Sequence, residues 1–230
     1  ASSSSVPALH SAGITPSLTI TSDGGNWARC HILDGLRLAP GPSGRGAPLF
    51  AAAFNAALPS QCAHLPVLFI GDGSEAAGEL LSGLPHLTLP QRGTVTAGAL
   101  DLALLLSSGP LYFAGMDLKS RDIQSHARPY ALDAYVGSGT NRLDPYYSRS
   151  WERGEKAKNI NPLGIYASWF REYLPRVKRP CYYLGPPPLL LEGLLSPAET
   201  VKPGGKKFPA FTVSGIPGRT EIHEADNGGR

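Results

Sequence analysis

Four polar stretches hold the residues best able to do chemistry. "TSDGG" (21–25), "GDGS" (71–74) and "GMDLKSRD" (115–122) each follow an apolar run and carry Asp23, Asp72 and Asp117. A carboxylate in such a place can hold a ribose hydroxyl, a sugar hydroxyl or a metal ion. Asp-Gly is also ordinary turn chemistry. The fourth stretch, "QRGTVTAG" (91–98), leads into a long apolar segment. There Gly93 lets backbone approach a ligand, and Thr94 and Thr96 offer hydroxyls. Free N–H groups at a helix start favour an anion, and Arg92 adds positive charge. The simpler alternative is that Thr94 or Thr96 caps its own helix.

Asp117 follows Gly115 at the end of "LYFAG", the most buried-looking apolar run. A charge so near a core needs a partner or a ligand. Lys119, Arg121 and Arg128 are candidate salt-bridge partners, and Arg92, Arg121 and Arg128 are candidate contacts for a substrate anion. His126 titrates near neutrality and is a candidate general base or acid, against the plainer reading of a hydrogen-bonded bystander. The run from Arg128 to Trp151 mixes Arg and Tyr. It can line a pocket for an anionic, ring-containing substrate, or fold on itself as a lid.

Other chemistries lack their patterns. Neither G-x-x-x-x-G-K-[ST] nor G-x-G-x-x-G is present, and there is no G-x-S-x-G elbow. The histidines show no H-E-x-x-H spacing, so no metal site is expected. Cys30, Cys62 and Cys181 are too few and too scattered for a disulfide framework or a zinc site, and the expected compartment is a reducing, cytoplasmic one. A net charge of +3 permits an anionic ligand without calling for nucleic acid. No stretch reaches the roughly 18–20 apolar residues of a membrane span. The start, "ASSSSVPALH", does not read as a signal peptide, and the absence of an initiator Met suggests a piece of a longer chain with flanking domains.

The elements that must position these residues read as alternating strands and helices. Strands are expected at 17–22, 48–54, 66–70, 110–115 and 181–185; several are continuously apolar, as in a parallel sheet covered on both faces. Helices are expected in "SVPALHSAG", Asn26 to Leu38, "GSEAAGELLSGL" with Ser74 as N-cap, "TAGALDLALLLSSG" and "PLGIYASWFREYL". In the last, Ile165, Trp169 and Tyr173 share one helical face. The fold class is therefore α/β: a Rossmann-like, open, mostly parallel sheet with helices on both faces. Residues 1–195 form this domain, with 119–161 as a polar loop or lid insertion. Residues 196–230 form a Pro-, Gly- and Lys-rich tail with one docked strand.

Four motifs in order carry a family resemblance: Gly13-Ile14 leading to Asp23, Gly93-Thr94-Val95, Gly115-Met116-Asp117-Leu118, and His126. Together they resemble the domain shared by motility-associated-factor (Maf) glycosyltransferases and MptE-like 6-hydroxymethylpterin diphosphokinases, over about residues 5–190. A more distant likeness is to bacterial sialyltransferases that use CMP-sialic acid. That likeness implies nucleotide contacts at Thr94 and Val95 and places Asp117 beside the nucleotide. Two departures matter. The sialyltransferases carry a catalytic His before their last long helix, where this chain reads "KAKNINPLGIYASWF"; His126, Tyr166 or Asn161 would have to serve. The family's first strand and Gly-x-Gly-Pro-Ser-Leu loop would precede the start of this chain, and Pro16-Ser17 stands where the family has Pro-Asp.

The resemblance implies a glycosyltransferase-like domain. Its donor substrate would be a CMP-linked nonulosonic acid and its acceptor a surface or flagellar protein or glycan, with no tightly bound cofactor. Asp23, Gly93, Thr94, Val95, Thr96, Gly115 and Asp117 would hold the donor, and His126 with Asp117 would act in catalysis. The alternatives are an ATP- and magnesium-dependent diphosphokinase, with Asp23, Asp72 and Asp117 converging on one cation, and a degenerate domain that binds without catalysis.

Overall fold

The computed structural model describes residues 1–25, 28–38, 49–118, 126–132, 142–143, 162–184, 188, 191–197, 211–213 and 222–224. Four strands, β1 (Leu18–Thr21), β2 (Leu49–Ala53), β3 (Val67–Gly71) and β4 (His86–Thr88), form a parallel sheet in that order. The register sets Leu18 opposite Leu49, Phe50 opposite Val67 and Phe69 opposite His86. Alternate residues face opposite layers, as the two-residue period of a strand requires. Ile20, Ala51 and Ile70 pack with Leu102 on one face, and Phe50 packs with Ile32 and Cys62 on the other. β2 and β3 can therefore be continuously apolar, whereas β1 alternates Leu18 and Ile20 with the buried threonines Thr19 and Thr21.

Five α-helices are described: α1 (Val6–Ser11), α2 (Ala28–Leu38), α3 (Glu75–Leu80), α4 (Val95–Leu106) and α5 (Pro162–Tyr173). Helices lie on both faces of the four-stranded sheet, and the fold is α/β and Rossmann-like. The expected cap of α3 is made: the Ser74 hydroxyl accepts the Ala77 N–H at 3.2 Å. At the chain start, Ile20 N–H donates to the Ala1 carbonyl at 2.8 Å and Ser2 bridges to Ile20 in parallel. The first residues thus run beside β1 before a 3₁₀ turn (Ser3–Ser5) enters α1.

α4 explains its own composition. Val95, Ala99, Leu102 and Leu106 pack toward the four-stranded sheet, while Ala97, Leu100, Ala103 and Leu104 join a second cluster with Leu111, Met116, Phe170 and Leu174. A helix buried along two faces is apolar nearly all round. Its carboxyl end is held by Arg179, whose Nη1 donates to the Ser107 carbonyl at 2.7 Å and whose Nη2 donates to Ser107 Oγ at 2.9 Å. A cation there also complements the helix dipole.

Beyond α4 lies a second parallel sheet, β5 (Leu111–Phe113), β6 (Cys181–Tyr183) and β7 (Ser196–Pro197), in that order. This corrects the expected burial of β5. Among the described residues β5 pairs only with β6, and Tyr112 is 47% exposed, stacked on Tyr182 with ring centroids 5.2 Å apart. The expected face of α5 also shifts. Ile165 is 63% exposed, and the buried stripe is Ala167 and Phe170, continued by Leu174 in the 3₁₀ turn that follows, with Trp169 and Tyr173 beside it. Both stripes have helical spacing, and packing against Leu100 and Leu111 selects the one with Phe170. In the tail, β8 (Phe211–Val213) and β9 (Ile222–Glu224) pair antiparallel with each other, where a single docked strand was expected. Among the described residues no helix is long and apolar enough to cross a membrane.

Candidate functional site

A cleft of about 470 Å³ opens at the carboxyl ends of β1 to β4. Its walls come from the loops after β1, β2 and β3, from the segment between β4 and α4, and from Tyr166 of α5. This is where an open α/β sheet places ligands, because the loops leaving parallel strands diverge there. The loops after β1 and β2 are drawn tightly together. The Ala57 N–H donates to the Asp23 carbonyl at 3.0 Å, and a Cβ on Gly24 would stand 2.7 Å from the Asn55 carbonyl oxygen. Only glycine allows this approach.

Asp23 and Asp72 both line the cleft, and both also make local turns. Asp23 Oδ1 accepts the Gly25 N–H at 2.8 Å. Asp72 Oδ1 accepts from Ser74 Oγ at 2.6 Å and from the Ser74 N–H at 3.0 Å. The bonds from Ser74, its hydroxyl foremost, hold the Asp72 carboxyl below its usual range. Turn and ligand readings are therefore compatible, since the second oxygen of each carboxylate has no hydrogen-bond partner among the described residues.

Arg92 also lines the cleft, and it is seated rather than free. Its Nε donates to Asp101 Oδ2 at 2.7 Å, and the Tyr173 hydroxyl donates to Asp101 Oδ1 at 2.8 Å. Its guanidinium carbon lies 5.3 Å from the Trp169 ring centroid and 5.1 Å from that of Tyr173. Those two rings stack on each other at 4.6 Å. The bond to Asp101 raises the already high basicity of Arg92, and burial, with the same carboxylate, pushes the Tyr173 phenol up.

Gly93, Thr94 and Val95 line the cleft beside Arg92, whereas Thr96 lies one residue further into α4 and is not part of the lining. Gly93 has φ +74°, the left-handed region that glycine adopts without strain. Thr94 is the N-cap of α4, but its side chain makes no capping hydrogen bond, so the hydroxyl is not spent on its own helix. Tyr166 Cε1 stands 4.0 Å from where a Gly93 Cβ would be.

The remaining candidates lie elsewhere. Asp117 is exposed and accepts the Tyr183 hydroxyl at 2.7 Å, within the second sheet. Burial, and then this bond, push the Tyr183 phenol well up. Gly115, with φ +69°, turns the chain before buried Met116. His126 stacks on Tyr130 at 4.4 Å, and Tyr130 stands 4.9 Å from His31 of α2. His31 is buried, with Nδ1 lacking a hydrogen-bond partner. Its pKa is lowered, by burial first and then by His126, against opposing pulls from Asp23 and Asp34. Partial desolvation lowers His126 as well. Asp117, Gly115, His126 and Arg128 are not among the cleft-lining residues. Lys119, Arg121 and Asn161 lie outside the described residues, as does most of the Arg128-to-Trp151 run.

Sequence reasoning missed Asn55, Asp101, Trp169 and Tyr173 as parts of this site. Asp101 had left a signal: it is the lone charge inside a nearly all-apolar helix, which demands a partner. Among the described residues, no group of three His, Cys, Asp or Glu side chains is placed to hold a metal ion. No family model, curated protein or solved structure matches the chain.

Proposed function

We propose that the cleft binds a nucleotide-activated sugar acid, with CMP as the nucleotide, in a glycosyltransferase-like domain that modifies a surface or flagellar protein or its glycan. The observation that carries this reading is the combination at one set of strand ends of an oriented cation, Arg92, with two carboxylates, Asp23 and Asp72. An anionic phosphate or carboxylate belongs at Arg92, Gly93 and Thr94, and ribose or sugar hydroxyls belong on the carboxylates. The three free cysteines accord with a reducing, cytoplasmic setting.

In the transfer step, the bond from the anomeric carbon to the phosphate oxygen breaks as one forms to the acceptor hydroxyl oxygen. The electron pair of the broken bond goes to the phosphate, whose charge Arg92 offsets. Tyr166 lines the cleft beside Gly93, and its hydroxyl would serve the leaving phosphate. The acceptor proton passes to a base or to water; His126, the base that the family resemblance implies, is not among the cleft-lining residues. The diphosphokinase reading is less well supported: it asks Asp23, Asp72 and Asp117 to share one cation, and Asp117 is engaged by Tyr183 in the other sheet.

Calorimetric titration with CMP, a CMP-linked nonulosonic acid, and ATP with magnesium tests the proposal. Saturable binding of the two cytidine ligands, with ATP much weaker, is expected. Binding of ATP with magnesium alone would overturn it. Tyr166→Phe should slow transfer at least tenfold while changing the Kd for CMP by less than about threefold.

A further inference from the structure

We infer that Asp101, Trp169 and Tyr173 are positioning residues that fix Arg92 as a two-pronged anion receptor in the cleft. The inference rests on the cleft being the binding site proposed above, and it adds how that site recognises its ligand.

A free arginine samples many rotamers, and ordering one on binding costs entropy. Arg92 is already ordered on three sides. Asp101 is 7% exposed and accepts the Arg92 Nε–H at 2.7 Å; the Tyr173 hydroxyl donates to the other Asp101 oxygen at 2.8 Å. The guanidinium carbon lies within cation–π distance of both rings of the stacked Trp169–Tyr173 pair. With Nε on Asp101 and the Tyr173 hydroxyl also within reach of the guanidinium, the remaining Nη N–H groups are the donors left to meet a ligand. Arg92 itself lines the cleft. A planar fork held in this way suits a group with two anionic oxygens, and a lysine cannot copy it. Asp101 sits on α4, and Arg92 lies in the segment just before that helix begins, so a rigid element supports the receptor from beside it. The ligand chemistry is a phosphate or carboxylate; the nucleotide's phosphate and the sugar's carboxylate are its two sources.

The test titrates wild type, Arg92→Lys, Asp101→Asn and the double variant with inorganic pyrophosphate, CMP and free N-acetylneuraminic acid. Each single variant should weaken the bound anion about tenfold. The double variant should be no weaker than Arg92→Lys alone, because Asp101 acts through Arg92. A merely structural Asp101 would lower thermal stability equally in both backgrounds and give independent, multiplying losses of affinity; that result overturns the inference. Tyr173→Phe, which removes one hydroxyl, should weaken binding about threefold and covers the case of an unfolded Asp101→Asn; an unchanged affinity there also counts against it. If CMP alone binds through Arg92, the phosphate is the source; if N-acetylneuraminic acid alone does, the carboxylate is. Pyrophosphate binding that needs Arg92, without CMP or sugar-acid binding, sinks the proposed function and leaves the receptor standing. CMP binding indifferent to Arg92 and Asp101 does the reverse, and no binding of any anion sinks both.

Discussion

Asp101 and His31 show how single buried groups set the behaviour of this site. Asp101 lies nearly out of solvent inside α4 and is tolerated there because Arg92 and Tyr173 take both of its oxygens. Asp101→Ala should cost about 1–3 kcal/mol in urea unfolding, less than for a fully buried pair because Arg92 keeps some water contact; a loss under about 0.5 kcal/mol would contradict the seat's role in stability. His31 contributes to the pH dependence of stability, as does His126. Its ring is held below the ordinary histidine value of 6.5, chiefly by burial. The unfolded chain therefore binds the proton more readily than the folded one. The stabilising contribution is complete above about pH 6.5 and is lost as pH falls below it, by at most about 1.4 kcal/mol per pH unit. Unfolding free energies at pH 7 and pH 5 should fall more for wild type than for His31→Gln. Equal losses would show that His31 does not contribute.

At the scale of elements, α4 is the joint of the molecule. It contributes Leu102 to the cluster on the four-stranded sheet and Leu100 to the cluster on the second sheet. Leu100→Ala and Leu102→Ala should each cost about 2–4 kcal/mol, whereas Leu105→Ala, at a half-exposed position, should cost under about 1 kcal/mol. Similar losses at all three would contradict the two-faced packing. β1, β2, β3, β5 and β6 were legible in the sequence because short runs of apolar or β-branched residues between turn residues announce them. β4 was not, because its three residues include exposed His86 and Thr88 and, among the described residues, pair only along one edge. The exposure of Tyr112 was hidden too, since an apolar run tells how sticky a strand is but not where in a sheet it sits. The face of α5 was misplaced by a residue or so of phase, because its aromatic residues populate two adjacent stripes.

For the molecule as a whole, one helix buried against both parallel sheets should make unfolding cooperative. Far-UV circular dichroism and tryptophan fluorescence are expected to report one shared urea midpoint; separate midpoints would mean that α4 does not couple the sheets. The candidate site was partly legible at this scale. Asp23, Arg92, Gly93, Thr94 and Val95 were singled out from strand-end and helix-start chemistry, and the fold brings them to one cleft with Asp72. Asp117 and His126 look equivalent in sequence but sit against Tyr183 and Tyr130, because strand order and the packing of a long segment are not written in local pattern. The central claim is that the cleft over β1 to β4 receives a nucleotide's anionic group on Arg92. A crystal structure of the chain grown with CMP tests it most directly. Density is expected in that cleft, with phosphate oxygens on the Arg92 Nη groups and beside Thr94; nucleotide bound instead at Asp117 and Tyr183, or a cleft left empty at saturating CMP, would contradict it.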